Sequence, residues 1–369
     1  MLNLAAEGYS DQEVIAMLMK SRTIKFEYML FDSEEKYIGM LENCSGSISQ
    51  DSDSDITGTG TFSIKENELR DINLTDDRLV PVFCLLTPSG EWLKYELGKY
   101  ILSSPTRSAS GQTVYRDVEA YDQAIVLTED KADSRTYIKA GQLYTNVVLT
   151  ILSQTGFTRT NITNSGLQLP TDLEFDIGTS KLEIINYLLK AINYVPLYFD
   201  AKGYACSRQY IEPVHRQIER SYVTDDKSIV LPGAKQSMDV FGIPNKFVRY
   251  LSSPERGELI SVYTNTDPSS ALSVNNRGRV ITDIESVEDI ASQATLDGYT
   301  RRVAAEKTQA YETVQLDTAV MPGHEYQDCI AVINDELGVS DKYIETAWQM
   351  ELTAGGKMSH TMRKAVPLI

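Results

Sequence analysis

Asp51, Asp53 and Asp55 stand at alternate positions, the spacing with which a calcium-binding EF-hand loop begins. Such a loop also needs a glycine at its sixth position for the sharp turn and a bidentate glutamate at its twelfth. The chain has Ile56 and Phe62 there. The acidic run therefore reads as a solvated loop between strands, with a weaker cation site as the alternative. Ala354-Gly355-Gly356-Lys357-Met358 has part of a phosphate loop, but Glu351 occupies the place of the first glycine and no Ser or Thr follows Lys357. A hairpin turn is predicted instead. Gly58-Thr59-Gly60 lacks its third glycine and opens no helix, so it is not a dinucleotide fingerprint.

His215, His324 and His360 are the only histidines. His324-Glu325 is not followed by a second histidine four residues on, so the two-histidine zinc helix fails. No Gly-x-Ser-x-Gly elbow surrounds a serine, and no cysteine sits in a protease-like context. Each histidine reads as structural or surface. Carboxylates are abundant, and sequence alone promotes no pair of them to catalysis. The expectation is no catalytic residue, no metal ligand and no cofactor. The 21 tyrosines are dispersed over strands and turns, which points to strand packing, with a carbohydrate site as the alternative. Cys44, Cys84, Cys206 and Cys329 form no C-x-x-C pair; the last three lie in apolar runs and read as buried thiols made in a reducing cytoplasm.

The elements that would position these groups are mostly strands. Ser10 with Glu13 has the spacing of a capping box and opens a short helix carrying Val14, Ile15, Leu18 and Met19 on one side. Being too short to stand alone, this arm (1–22) must dock on its own chain or on a neighbouring subunit. Residues 23–128 alternate in runs such as Ile24 to Met29 and Leu79 to Leu86, the pattern of a β barrel or sandwich. A charged linker at 129–135 then leads to a helix over 141–155, stopped by Gly156. Ser180 and Glu183 cap another helix with Leu182, Ile185, Leu189 and Ile192 on one face. That helix feeds an aromatic hairpin turning at Asp200 to Gly203. Residues 129–213 thus predict a compact α/β domain. In 214–369 the longest helix is predicted over 286–307, capped by Ser286 with Asp289, followed by strands to the end. The fold class is α+β, mainly β.

The chain has 369 residues, 42% of them hydrophobic, and a net charge of 35 minus 52, or −17. That length predicts more than one substructure. No apolar run reaches the roughly 20 residues of a membrane helix, and the N-terminus lacks the charged and apolar regions of a Sec signal. So acidic a surface repels phosphates and anionic membranes, but it suits a passage through which DNA slides without sticking. Plain solubility is the simpler use of the same charge.

Residues Ile184 to Tyr194 with the turn Asp200 to Gly203 resemble the middle of tail hub (baseplate hub) proteins of siphophages and prophages of Gram-positive bacteria, relatives of the hub of contractile-tailed phages. Leu97-Gly98-Lys99-Tyr100-Ile101-Leu102-Ser103-Ser104-Pro105, Val118 to Asp122, Gly242 to Val248, Asn276 to Arg279, Asp289 to Leu296, Gln349 to Leu352 and Gly355 to His360 extend the likeness in the same order. The resemblance implies two tail-tube-like β barrels, at 23–128 and 214–369, with the α/β domain inserted between them. It implies a homotrimeric virion structural protein, without catalysis, that joins a hexameric tube to the distal tip and lines the DNA passage. Its partners would be tail-tube and distal tail proteins above and a tip, fibre or lytic protein below, with no membrane insertion by this chain. It would be assembled in the host cytoplasm and end in the distal tail. A C-terminal spike or lytic region, common in such hubs, would be absent or come from another gene product. The alternatives are a tail-associated peptidase or glycosidase and a binder of host-surface polysaccharide.

Overall fold

The computed structural model describes residues 2–366 apart from 70–72, 74, 75, 104, 112, 226, 227, 254–256 and 310. Ser104 of the family resemblance and residues 367–369 of the last expected domain lie outside the described residues.

The N-terminal helix forms as its capping signature predicts. Ser10 accepts from Glu13 N at the start of α1 (Asp11–Leu18), and Glu13 accepts from Ser10 N at 2.8 Å, so two donors that the helix itself cannot satisfy are paired. Val14 and Leu18 are fully buried. The arm docks on its own chain. Leu2 N donates to Gly323 O, Tyr95 Oη donates to Leu4 O at 2.7 Å, and Arg22 donates to Leu18 O and Val320 O.

A first lobe follows, of β1 (Ile24–Phe31), β2 (Tyr37–Leu41), β3 (Cys44–Asp51), β4 (Gly58–Lys65), β5 (Arg78–Leu86), β6 (Trp92–Glu96), β7 (Tyr100–Leu102), β8 (Thr106–Ser110) and β9 (Thr113–Tyr121). β5 is buried on both faces: Leu79, Phe83 and Leu85 enter the main core, while Val80, Val82 and Cys84 pack with Met29, Phe31 and Trp92. The chain then builds the inserted module from α2 (Ala124–Glu129), β10 (Thr136–Ile138), α3 (Tyr144–Gln154), β11 (Thr160–Ile162), β12 (Leu173–Phe175), α4 (Lys181–Ala191), β13 (Tyr198–Phe199) and β14 (Ala205–Ser207). Its core is separate and centred on Tyr144, Val148, Leu152, Leu182, Ile185 and Leu189. The Ser180–Glu183 capping box is present, whereas the hairpin strands are short because Leu197 N is taken by Asn186 Oδ1 at 2.9 Å.

The second lobe begins with β15 (Arg220–Val223) and β16 (Lys235–Met238). It then departs into β17 (Lys246–Ser253), β18 (Gly257–Thr264), α5 (Val274–Arg277), β19 (Thr282–Ser286) and α6 (Gln293–Gln309). It returns as β20 (Glu312–Ala319), β21 (Cys329–Asn334), β22 (Val339–Glu351) and β23 (Lys357–Lys364). The excursion is a three-stranded sheet under α6, with its own core of Phe247, Leu251, Tyr263, Leu296 and Val303. Here the expected helix over 286–307 is corrected. Ser286 ends β19, which runs parallel to β17, and Val287 N continues that pairing to Tyr250 O. Sheet formation overrides the local capping signature, and Asp289 instead accepts from Tyr144 Oη at 2.6 Å. The helix is capped by Ser292, whose Oγ accepts from Thr295 N at 3.2 Å.

The molecule is mainly β, as expected, and the two lobes form one sheet of 15 strands. Its path runs β16-β20-β23-β22-β3-β4-β9-β7-β5-β1-β2 and does not close on itself. β3 and β22 join the lobes, with Ser47–Asp51 paired antiparallel to Ala347–Glu351. One core spans the join, from Leu30, Phe62 and Phe83 to Tyr222, Leu316, Tyr343 and Met362.

Gly46 on β3 is required by close approach, because a Cβ there would collide with Thr61 O and lie 2.8 Å from Phe62 Cδ1. Gly39 on β2 has nothing within 4 Å of the same position. Gly46→Ala is expected to lower stability by about 1–3 kcal/mol, and Gly39→Ala to change it by less than about 0.5 kcal/mol, as read by urea unfolding. Equal effects would refute the close β3–β4 approach.

Candidate functional site

The groups singled out in the sequence fall in different places. Asp53 is bound to Arg363 at 2.5 Å in the turn after β3, while Asp51 Oδ1 accepts from Asp53 N at 2.9 Å, so these carboxylates organise a loop. Residues 354–356 form the predicted turn, between β22 and β23. His215 is exposed in a single 3-10 turn. Cys84, Cys206 and Cys329 are buried free thiols. His324 and His360, expected as structural or surface residues, are brought together by the fold on one carboxylate.

Glu345 lies on the inward face of β22, His360 on β23 and His324 in the loop before β21. His324 Nδ1 is 2.6 Å from Glu345 Oε2, and His360 Nδ1 is 2.5 Å from Glu345 Oε1. The outer ring nitrogens are also engaged: His324 Nε2 meets Tyr222 Oη at 2.7 Å, and His360 Nε2 meets Thr318 Oγ1 at 2.9 Å. The side chains of both histidines and of Glu345 are fully buried. Burial pushes the Glu345 carboxyl up, but the adjacent imidazoles and their hydrogen bonds outweigh this and hold it down at about 2. An ionised Glu345 can only accept, so both Nδ1 atoms donate to it, and each Nε2 shares a further hydrogen bond with a hydroxyl. The result is a chain of hydrogen bonds across β15, β20, β22 and β23.

The three residues are also the right types for a metal, with their ligand atoms within 4.8 Å of one another. The spacing decides between the readings. Two ligands of one tetrahedral zinc stand roughly 3.3 Å apart when each bond is about 2.0–2.1 Å, whereas the N···O pairs here are at 2.5 and 2.6 Å. These are hydrogen-bond distances, and a metal would have to break both. Asp328 completes the surroundings: it accepts from Glu325 N at 2.8 Å, and burial pushes its carboxyl up to about 7. With every ring nitrogen occupied and no exposed atom, the node is built to hold strands together. Sequence reading missed it because the partners are far apart in the chain. The one local signal is that His360 stands between Met358 and Met362 on the buried face of its strand.

A second buried carboxylate sits where the first lobe hands over to the module. Asp122 accepts from Gly58 N at 2.6 Å, Ala124 N at 2.9 Å and Thr57 Oγ1 at 3.2 Å, and burial pushes it up to about 6. It fixes β4 and the first turn of α2 together.

Glu345, held below its unfolded value of 4.5, stabilises the fold above that pH, and the contribution is lost as pH falls towards 2. Asp328, raised from 3.8, acts in the opposite sense: its contribution is complete below that value and is lost as pH rises through about 7. Glu345→Gln is expected to cost about 3–5 kcal/mol at neutral pH, since it strands buried partners. The cost should shrink as the medium is acidified to pH 3. Urea unfolding at both pH values checks this, and an equal cost at the two would contradict an ionised relay.

No protein-family model matches the sequence, and no curated protein matches it. Solved structures do match. A tail protein from Neisseria meningitidis aligns over 92% of this chain and 97% of its own, with a TM-score of 0.66 and 12% identity. A 43 kDa tail protein of prophage MuSo2 from Shewanella oneidensis aligns over 92% and 99%, again with a TM-score of 0.66 and 12% identity. A prophage tail protein from Listeria monocytogenes covers 91% and 94%, with a TM-score of 0.58 and 12% identity. Identity this low transfers no individual residue, but the alignments run nearly end to end in both partners. The chain has the fold of prophage tail proteins.

Proposed function

We propose that the chain is a structural subunit of a phage-type tail, a hub at the distal end that works without catalysis. The observation that carries this reading is the fold likeness to tail proteins over more than nine-tenths of both chains. In this reading 23–128 and 214–369 are two tube-related β units and 129–213 is the module inserted between them. Three chains then present six β units to a six-fold tube and a three-fold face to the tip. Tube and distal tail proteins lie above, and a tip, fibre or lytic protein lies below.

The surface supports such a role. The free edges of the large sheet carry exposed apolar side chains: Tyr37, Ile38 and Met40 on β2, and Met238 with the following Val240 and Phe241 at β16. Open apolar edges are a liability in an isolated monomer and an asset in a ring, where a neighbouring copy covers them. Three chains would carry 3 × (−17) = −51, which suits a lumen that passes DNA without holding it. The histidine–carboxylate node is sealed and fully hydrogen-bonded, as a structural node should be.

Electron microscopy of tails containing the protein should show threefold density at the distal end, and light scattering on concentrated protein should show a trimer or larger ring. Ile38→Lys and Phe241→Asp, both at exposed positions, should leave unfolding within about 0.5 kcal/mol of wild type while abolishing assembly. Density elsewhere on the particle, or lysis of purified peptidoglycan by the chain, would overturn the reading.

A further inference from the structure

The three-stranded sheet of β17, β18 and β19 has α6 on one face, where Phe247, Leu251 and Tyr263 enter a core with Leu296 and Val303. Side chains alternate along a strand, so the residues between these turn to the opposite face. Register sets which of them stand side by side. Val248 lies between Val262 and Ile284, and Tyr250 lies between Ile260 and Ser286. Ile260, Val262 and Ile284 are 49%, 54% and 63% exposed. A sheet with one face in water ordinarily carries polar side chains there. Here an apolar band crosses all three strands on the uncovered side, while the neighbouring Ser261 is buried.

The two ends of the band differ in charge. At one end Lys246 shares its row with Thr264 and Thr282, and at the other Glu258 shares its row with Ser252. Two rows, those of Val248 and Tyr250, separate the ends, so the pattern is symmetric about the middle of the sheet. A second copy turned end for end therefore stacks band on band and sets each Lys246 against a Glu258 of the other chain. Stacked without the reversal, the same faces would oppose like charges. Area is consistent with such a contact. Strands of up to eight residues, rising about 3.4 Å per residue and lying about 4.8 Å apart, make a face on the order of 400 Å² in projection. Two such faces, with their side chains, bury on the order of 1,000 Å² of accessible surface, the lower end for a specific interface.

We propose that the outer face of this sheet is an interface between two copies of the chain, stacked antiparallel about a twofold axis with the apolar band at its centre. The modest area makes the pair weak and dependent on concentration. A ring held by the sheet edges and a pair held by this face use different surfaces, so the assignment stands apart from the tail reading.

The test uses the full chain, with light scattering and sedimentation velocity over a range of concentrations. A doubling of mass with a dissociation constant in the micromolar range is expected. Ile284→Asp should weaken it about 100-fold, and Lys246→Glu or Glu258→Lys about 10-fold each. Mixing Lys246→Glu with Glu258→Lys should restore the wild-type affinity, because both charge contacts of the mixed pair again join opposite signs. Ile177→Lys, exposed on the inserted module, should leave the affinity unchanged. Where the chain also forms rings, pairing is the doubling that Ile284→Asp removes. Melting temperatures matching wild type establish that the variants fold, and the two charge variants carry the test if Ile284→Asp does not. No doubling at millimolar concentration, variants that pair as tightly as wild type, or a mixture no tighter than either charge variant alone overturns the proposal.

Discussion

The backbone pairing of β3 with β22 is the constraint on which the rest of the molecule depends. Neither strand could be left as an edge in the middle of a core, because unpaired main-chain groups away from water are costly. Their pairing turns two lobes into one sheet, and side chains reinforce it: Trp348 Nε1 donates to Gln50 Oε1 at 3.0 Å, and Tyr28 Oη donates to Leu352 O at 3.3 Å. Ile48, Met350 and Leu352 then share one core with residues from both ends of the chain. The N-terminal arm crosses the same join, since Leu2 and Leu4 bond to Gly323 and Tyr95. Lobes joined through one sheet and one core cannot rotate independently.

Buried polar groups set the angles between the other parts. Asp122 anchors the first turn of α2 to β4, and Tyr144 reaches from the module to Asp289 in the approach to α6. Arg301 pairs with Glu212 at 2.7 Å, while Arg302 reaches Tyr194 O. Such contacts are directional, unlike apolar burial, so they select one arrangement of the module against the excursion of the second lobe. The histidine–carboxylate node does the same within that lobe, at the cost of placing an ionised group in the interior.

Outside, charge and shape divide the work. Carboxylates in excess keep the surface repulsive to polyanions, and exposed apolar side chains lie on the edge strands β2 and β16. No helix among the described residues is long and apolar enough to cross a membrane.

Local order was legible in the residues alone. The capping boxes at Ser10–Glu13 and Ser180–Glu183, the turns at 200–203 and 354–356, the buried thiols and the mainly β character follow from interactions within a few residues, which neighbouring sequence encodes. Where a distant strand competed, local signals lost: Ser286 and Asp289 had cap spacing, yet pairing with β17 kept 282–286 extended and moved the helix start to Ser292. The join of β3 to β22, the separate three-stranded sheet and the meeting of His324 and His360 on Glu345 all link residues far apart in the chain. Periodicity tells which side chains turn inward, but not which of them will meet. That choice belongs to tertiary packing, where burial makes every polar group find whichever partner the fold brings within reach.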